Sequence, residues 1–150
     1  MSITTEAEAL KRIIPLSVLP SEKLKLLAFE CQLLNFRSGA IILKQGVVQN
    51  EFYAVVAGSV EYYGTTDGVF RSLLQEFADE NAMAIGFLEC FAQIPPTVGV
   101  RAVTDVAALS IPRDILIELF HESSELTLEM LRAVCGPPLK LIDALTRQAI

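Results

Sequence analysis

The spacing of apolar residues changes character twice along the chain. Glu6–Ile14 reads as a short amphipathic helix ended by Pro15. Ser21 reads as the N-cap of a second helix, with Leu24, Leu27 and Ala28 on one face and an end near Cys31. From Leu33 the helical period disappears. Leu33–Phe36, Ile41–Leu43, Phe52–Val56 and Ser72–Phe77 are short runs of β-branched, aromatic and aliphatic residues, which predicts strands. Gly39, Gly46 and Gly58 fall where runs stop, and Thr65-Thr66-Asp67-Gly68 carries the Asp-Gly pair of a tight hairpin. Thr97–Val103 and Val106–Ile111 resume as strands. The segment Ala78–Pro96 before them has no period of two. Only Phe87–Ala92 fits a helical patch there, and Ile94-Pro95-Pro96 continues neither a helix nor a central strand.

After Pro112 the period is helical again. Ile115, Leu116, Leu119 and Phe120 form one apolar face, and Ser124 is placed as the cap of a helix carrying Leu128, Leu131 and Val134. Gly136-Pro137-Pro138 is expected to end that helix. A last one would carry Leu139, Ile142, Leu145 and Ala149, with Lys140, Asp143 and Arg147 off the stripe. Helices, then strands interrupted by one irregular segment, then helices again predict an α+β fold. Short strands with closely spaced turns predict a small antiparallel barrel or sandwich over about 33–112, flanked by N-terminal and C-terminal helices, the latter at about 113–149. The 150 residues read as one domain, 1–150.

Composition narrows the function. The chain is 52% hydrophobic, with a mean hydropathy of +0.46, yet charges break every apolar run short of the ~18 residues a membrane span needs. MSITTEAEALKRI has no apolar signal core, so the expected location is the cytoplasm, with no membrane partner. The surplus apolar surface is assigned to a partner or to self-association. A net charge of −6 with scattered Lys and Arg argues against nucleic acid. Cys31, Cys90 and Cys135 are odd in number and far apart, so they read as small hydrophobes and not as a disulfide framework or a metal set. His121 is the only histidine, which leaves neither a metal-binding histidine cluster nor a nucleophilic triad. Asp79 and Glu80 read as solvated turn acids, and Asp114 and Glu118 as acids early in a helix. The expectation is a protein that is not an enzyme, with no catalytic residue, no metal and no cofactor.

The order of elements and certain short motifs resemble the cyclic-nucleotide-binding domain, the effector half of the catabolite activator protein family. The likeness covers roughly Ile14 to Val134 and rests on Ile14-Pro15-Leu16 and the Ser21 helix, then Ser38-Gly39, Gln45-Gly46, Phe52-Tyr53 and Gly58-Ser59-Val60. Thr66-Asp67-Gly68, Val100-Arg101-Ala102 and Leu109-Ser110-Ile111-Pro112-Arg113 complete it. The resemblance implies a β-roll flanked by helices and a dimer formed through a helix after the roll. In full-length regulators a DNA-reading helix-turn-helix follows, so this chain reads as an isolated effector-like domain or as a shortened regulator.

The resemblance also places a ligand site in the irregular segment. The family's phosphate-binding cassette runs Phe-Gly-Glu, a short helix, then Arg-Ser or Arg-Thr. Its glutamate holds a ribose hydroxyl, and its arginine pairs with the cyclic phosphate, because an anion taken from water needs a fixed cation. Here the cassette glycine falls on Gly86 and the hydroxyl on Thr97, while the glutamate position holds Phe87 and the arginine position Pro96. Gly86, Phe87, Leu88, Pro96, Thr97, Val98 and Arg101 are the candidate ligand-binding residues. Arg101 is the candidate replacement cation, although its place between Val100 and Ala102 turns it outward, and Glu89 is the candidate replacement acid. Losing two charge-assisted bonds of ~1.5–3 kcal/mol each removes roughly 10²–10⁴ in affinity. The expected function is therefore a regulatory domain that does not bind cyclic nucleotide in the family's usual way. It would act through another small ligand or a protein partner, with Phe87 and Phe91 filling space a nucleotide would occupy. The alternatives are a genuine sensor with a rearranged cassette and a structural dimerisation module. A homodimer through the C-terminal helices is expected, broken at the two prolines.

Overall fold

The computed structural model describes residues 3–13, 16–78 and 83–149, with side chains from residue 5 onward. Its elements are α1 (Ile3–Lys11), a 3₁₀ turn (Leu16–Val18), α2 (Ser21–Glu30), β1 (Gln32–Phe36), β2 (Ile41–Leu43), β3 (Glu51–Thr66) and β4 (Val69–Ala78). They continue with β5 (Met83–Ile85), α3 (Phe87–Ala92), β6 (Gly99–Ala102), β7 (Val106–Pro112), α4 (Arg113–Glu122) and α5 (Ser124–Ala149). This is the expected α+β arrangement, an antiparallel curled sheet with helices at both ends of the chain.

The 16-residue β3 is the common strand. Its first part pairs with β7 on one side and β5 on the other; its second part pairs with β6 and β4. β1 then extends the sheet beyond β7, and β2 beyond β6. Phe52–Val55 is buried residue by residue because the strand has a core on each face. Phe52 and Ala54 join Leu10, Leu16, Leu27 and Leu116 in a core shared with the helices. Tyr53 and Val55 join Leu43, Ile85 and Val100 inside the roll. β7 divides likewise: Leu109 and Ile111 face the helices, Val106 and Ala108 the roll. Its buried Ser110 donates a hydrogen bond to Glu51 at 2.6 Å, and the Tyr53 hydroxyl donates to the same carboxylate at 2.8 Å.

The exchange of partners along β3 happens at Gly58. Ala57 is its last residue opposite β7, and Gly58 is the first opposite β4. Gly58 has φ +104°, and a Cβ there would lie 2.4 Å from the Asp105 carbonyl oxygen. No L side chain fits either condition. At the far end, Asp67 and Gly68 both take positive φ, 53° and 76°, as the Asp-Gly signal requires of a tight hairpin. The returning β4 pairs with β3 alone and leaves Val69, Leu73, Leu74 and Phe77 more than half exposed.

Some local expectations are corrected. Ser21 is the first residue of α2, not its cap; Pro20 holds the cap position without a side-chain bond. The cap of α5 is Ser123, whose Oγ accepts a bond from the Leu126 N–H at 3.2 Å, one residue before the expected Ser124. Gly136-Pro137-Pro138 does not end a helix, because α5 runs through it to Ala149. Proline forbids an N–H donor, not a helical φ. Gly136 lacks the Cβ that would crowd the Pro137 ring, and both prolines are exposed. The readings at Ile14–Pro15 and at Asp79–Glu80 lie outside the described residues.

Gly58→Ala is expected to destabilise the fold by about 2–4 kcal/mol, since positive-φ strain adds to a backbone clash. Gly46→Ala, at φ +80° but in open space, should cost only about 1 kcal/mol. Urea denaturation of the two variants measures the contrast.

Candidate functional site

The chain leaves β5 through Gly86 and enters the six-residue α3. Gly86 has φ +77°, and a Cβ would come to 3.1 Å from Leu43 Cδ1, so the turn into α3 lies tight against β2. Gln93 ends the helix at φ 57°, its Nε2 donating to the carbonyls of Cys90 at 2.8 Å and Gln49 at 3.0 Å. Arg113, the first residue of α4, donates to the Phe91 carbonyl from Nη2 at 3.3 Å and Nε at 3.4 Å. A cation thus caps the carbonyl end of α3.

Behind α3 is an open cavity of about 440 Å³. Leu43, Tyr62, Ala84, Ile85, Val98 and Val100 line it from the roll, Gly86, Phe87, Leu88 and Glu89 from the cassette, and Val134, Pro137 and Pro138 from α5. Its size suits a small organic molecule. Among the described residues no Lys, Arg or His lines it. Its polar side chains are Glu89 and the phenol of Tyr62. Burial, then the charges of Glu76 and Glu89, push the Tyr62 pKa up to about 12, so the hydroxyl keeps its proton.

Phe87 is buried and meets Phe52 edge-on at 5.0 Å and Phe91 in a stack at 6.1 Å. Phe91 in turn meets Phe120 of α4 edge-on at 5.4 Å. On the far side of Phe87, a second, nearly wholly apolar cavity of about 230 Å³ opens between Phe91, Phe120, Met130 and Val134. Phe87 therefore belongs to the linings of both spaces. Next to it, Cys90 is buried and its thiol pushed up to about 11, chiefly by desolvation, so it is an inert packing residue.

The seven candidate residues divide into two groups. Gly86, Phe87, Leu88 and Val98 line the larger cavity; Pro96, Thr97 and Arg101 do not. Pro96 is buried, and its carbonyl accepts the Gly46 N–H at 2.8 Å. Thr97 is exposed, and its carbonyl accepts Gln45 Nε2 at 3.0 Å. Arg101 lies on the opposite face of β6 from Val100. It forms an ion pair with Glu61, which is 5% exposed, and stacks on Phe70 at 4.5 Å. Burial by itself would raise the Glu61 pKa. Hydrogen bonds from Ser72 and Arg101, the Arg101 charge and a bond from Gln75 outweigh it and hold the carboxyl below its ordinary value. Glu89 does line the cavity. Tyr62, Arg113 and the α5 residues Val134, Pro137 and Pro138 were not legible as site residues. The signal for Tyr62 was its alternation with Glu61 and Tyr63, and for α5 the apolar stripe.

Residues 33–123 match the family model described as the cyclic nucleotide-binding domain. The chain belongs to that family. No curated protein sequence matches it significantly. Among solved structures it is similar to the N-terminal domain of a transcriptional regulator from Streptomyces coelicolor A3(2), at 25% identity and a TM-score of 0.75, covering 91% of this chain and 96% of that one. The sensor domain of the transcriptional regulator DNR from Pseudomonas aeruginosa gives 19% identity and a TM-score of 0.74, with 94% and 93% covered. The Thermus thermophilus catabolite activator protein gives 21% and 0.68, with 87% of this chain and 60% of that protein covered. The chain likewise spans 64% of a candidate cyclic nucleotide binding protein from Ruegeria pomeroyi. The chain thus spans less than two thirds of the length of these last two proteins.

Arg101→Met should lower stability by about 1–3 kcal/mol at neutral pH, because Glu61 loses a charged hydrogen-bond partner. The parent's Glu61 has a depressed folded pKa, so its contribution is present above the unfolded carboxylate pKa and is lost as pH falls through the folded value. Melting temperatures from pH 7 to pH 3 should therefore converge between variant and parent at the acid end.

Proposed function

We propose that this cyclic nucleotide-binding family member is a non-catalytic regulatory domain that does not take cyclic nucleotide in the family's usual way. Its cassette holds a different small ligand, and α5 carries the result to a second copy of the chain. The observation that carries this reading is the lining of the 440 Å³ cavity, which among the described residues has apolar walls, one carboxylate and no cation. A cyclic phosphate placed there would leave water without a counter-charge. The N–H groups of Phe87, Leu88 and Glu89 at the start of α3 supply only partial charge. Phe87 stands where a carboxylate would meet a ribose, and its ring is held by Phe52 and Phe91.

The proposed dimer rests on α5. Leu128, Leu131, Cys135, Pro138, Ile142 and Leu145 recur at alternating intervals of three and four, and all are exposed. Leu131, Ile142 and Leu145 each show over half of their surface. That is the seam of a two-helix coiled coil. It lies on the helix that also contributes Val134, Pro137 and Pro138 to the cavity wall, so site and interface share one element.

Cyclic AMP and cyclic GMP at millimolar concentration are expected to leave the melting temperature unchanged, because stabilisation requires occupancy of the native state. A clear upward shift with either would replace this reading by that of a nucleotide sensor with a rearranged cassette.

Light scattering at tens of micromolar should give twice the chain mass, and Ile142→Glu should give the monomer. Mild oxidation should cross-link the parent through Cys135, which faces its own copy across a two-fold seam. Cys31 is unreactive, its thiol pushed up to about 12 by burial and by Glu6 and Glu30. A monomer in the parent, or cross-linking that survives Cys135→Ser, would overturn the seam.

A further inference from the structure

We propose that the cavity behind α3 takes a compact cationic amine with an apolar body about the size of a fused ring. The inference rests on the reading that this cassette is not a cyclic nucleotide site of the usual kind, and it names what the site takes instead.

Three observations converge on a positive ligand. First, among the described residues the one charged side chain of the lining is negative. Glu89 is half-buried in the lining, and the charges of Glu89 and Glu76 both act on the Tyr62 phenol. Of the cations on the neighbouring elements, Lys44, Arg132 and Lys140 do not line the cavity. Arg101 pairs with Glu61 on the opposite face of β6, and Arg113 is spent on the Phe91 carbonyl. Second, α5 brings no amide donor where its prolines meet the cavity. Pro137 and Pro138 line it and have no N–H, so they offer an anion nothing to bind. Third, the remaining wall is aliphatic and aromatic, which suits a ring and not a sugar phosphate.

The α3 N–H groups do not reverse the sign. A six-residue helix offers at most a fraction of a positive charge, and Glu89 places a full negative charge in the same turn. An anion there meets net repulsion, while an ammonium meets Glu89 and the Tyr62 oxygen. At roughly 30 Å³ per non-hydrogen atom, about 440 Å³ holds on the order of fifteen atoms. An arylethylamine falls within that size, and its ring can lie against Phe87 and Val98.

The test compares three probes with one ring and different charge on the full chain: tryptamine (cation), tryptophol (neutral) and indole-3-acetate (anion). Isothermal calorimetry should rank tryptamine at least about tenfold tighter than tryptophol, with indole-3-acetate undetectable. Glu89→Gln should bring tryptamine down to the affinity of tryptophol and leave tryptophol unchanged. Val98→Trp, which fills the cavity, should remove both. Unshifted melting temperatures show that the variants are folded, and tryptophol binding independently reports that the Glu89→Gln cavity is intact. Equal binding of tryptamine and tryptophol, a preference for indole-3-acetate, a tryptamine preference that survives Glu89→Gln, or binding by none of the three overturns the amine. Three of the four leave the reading of a non-nucleotide site standing; a preference for the anion, like binding of cyclic AMP or cyclic GMP, removes that reading as well.

Discussion

The fold depends on one strand being able to change partners. β3 hydrogen-bonds to β5 and β7 before Gly58 and to β4 and β6 after it. A straight strand could serve one sheet or the other. A glycine at φ +104°, pressed against the Asp105 carbonyl, lets one strand serve both. The two cores follow from this. Before Gly58, alternate β3 residues go to the helices and to the roll interior, and after it the inner face carries Val60 and Tyr62 toward the cavity. The distance of the helices from the ligand space is therefore set by a backbone event within β3.

The cassette is tied to the helices by packing and by one cation. Phe52, Phe87, Phe91 and Phe120 form a run of ring contacts from β3 through α3 to α4. Arg113 fixes the end of α3 to the start of α4. α5 then packs Met130 into the helical core and lays Val134 and the prolines on the cavity. A change in the occupancy of either cavity beside Phe87 would be felt along this run, because close-packed rings adjust by displacing neighbours.

Charge is distributed with the same economy. The buried carboxylate of Glu61 has Arg101, Ser72 and Gln75 around it, all on the outer face of the sheet. The cavity face of the same strands carries no cation among the described residues. The strand period of two separates Arg101 from Val100 and keeps it from the position a ligand-binding arginine would need.

The sequence by itself determined the class of fold and the order of its parts. Period-two runs, the Asp67-Gly68 turn, the Phe87–Ala92 patch and the helical faces after Pro112 are local signals, and local backbone preference was enough to place them. It also put Phe87 and Pro96 where the family resemblance expects a glutamate and an arginine, which is a matter of residue identity alone. Tertiary structure decided the rest. Whether Pro96 and Thr97 face a ligand or the loop at Gln45–Gly46 depends on contacts between residues some fifty positions apart. That β3 is one strand and not several required knowing which strands flank it. That α5 continues through Pro137 and Pro138 depended on its exposure, because proline removes a hydrogen bond without forbidding the helical path. Local pattern fixes backbone conformation within a few residues; which faces then meet is settled only when distant segments exclude water together.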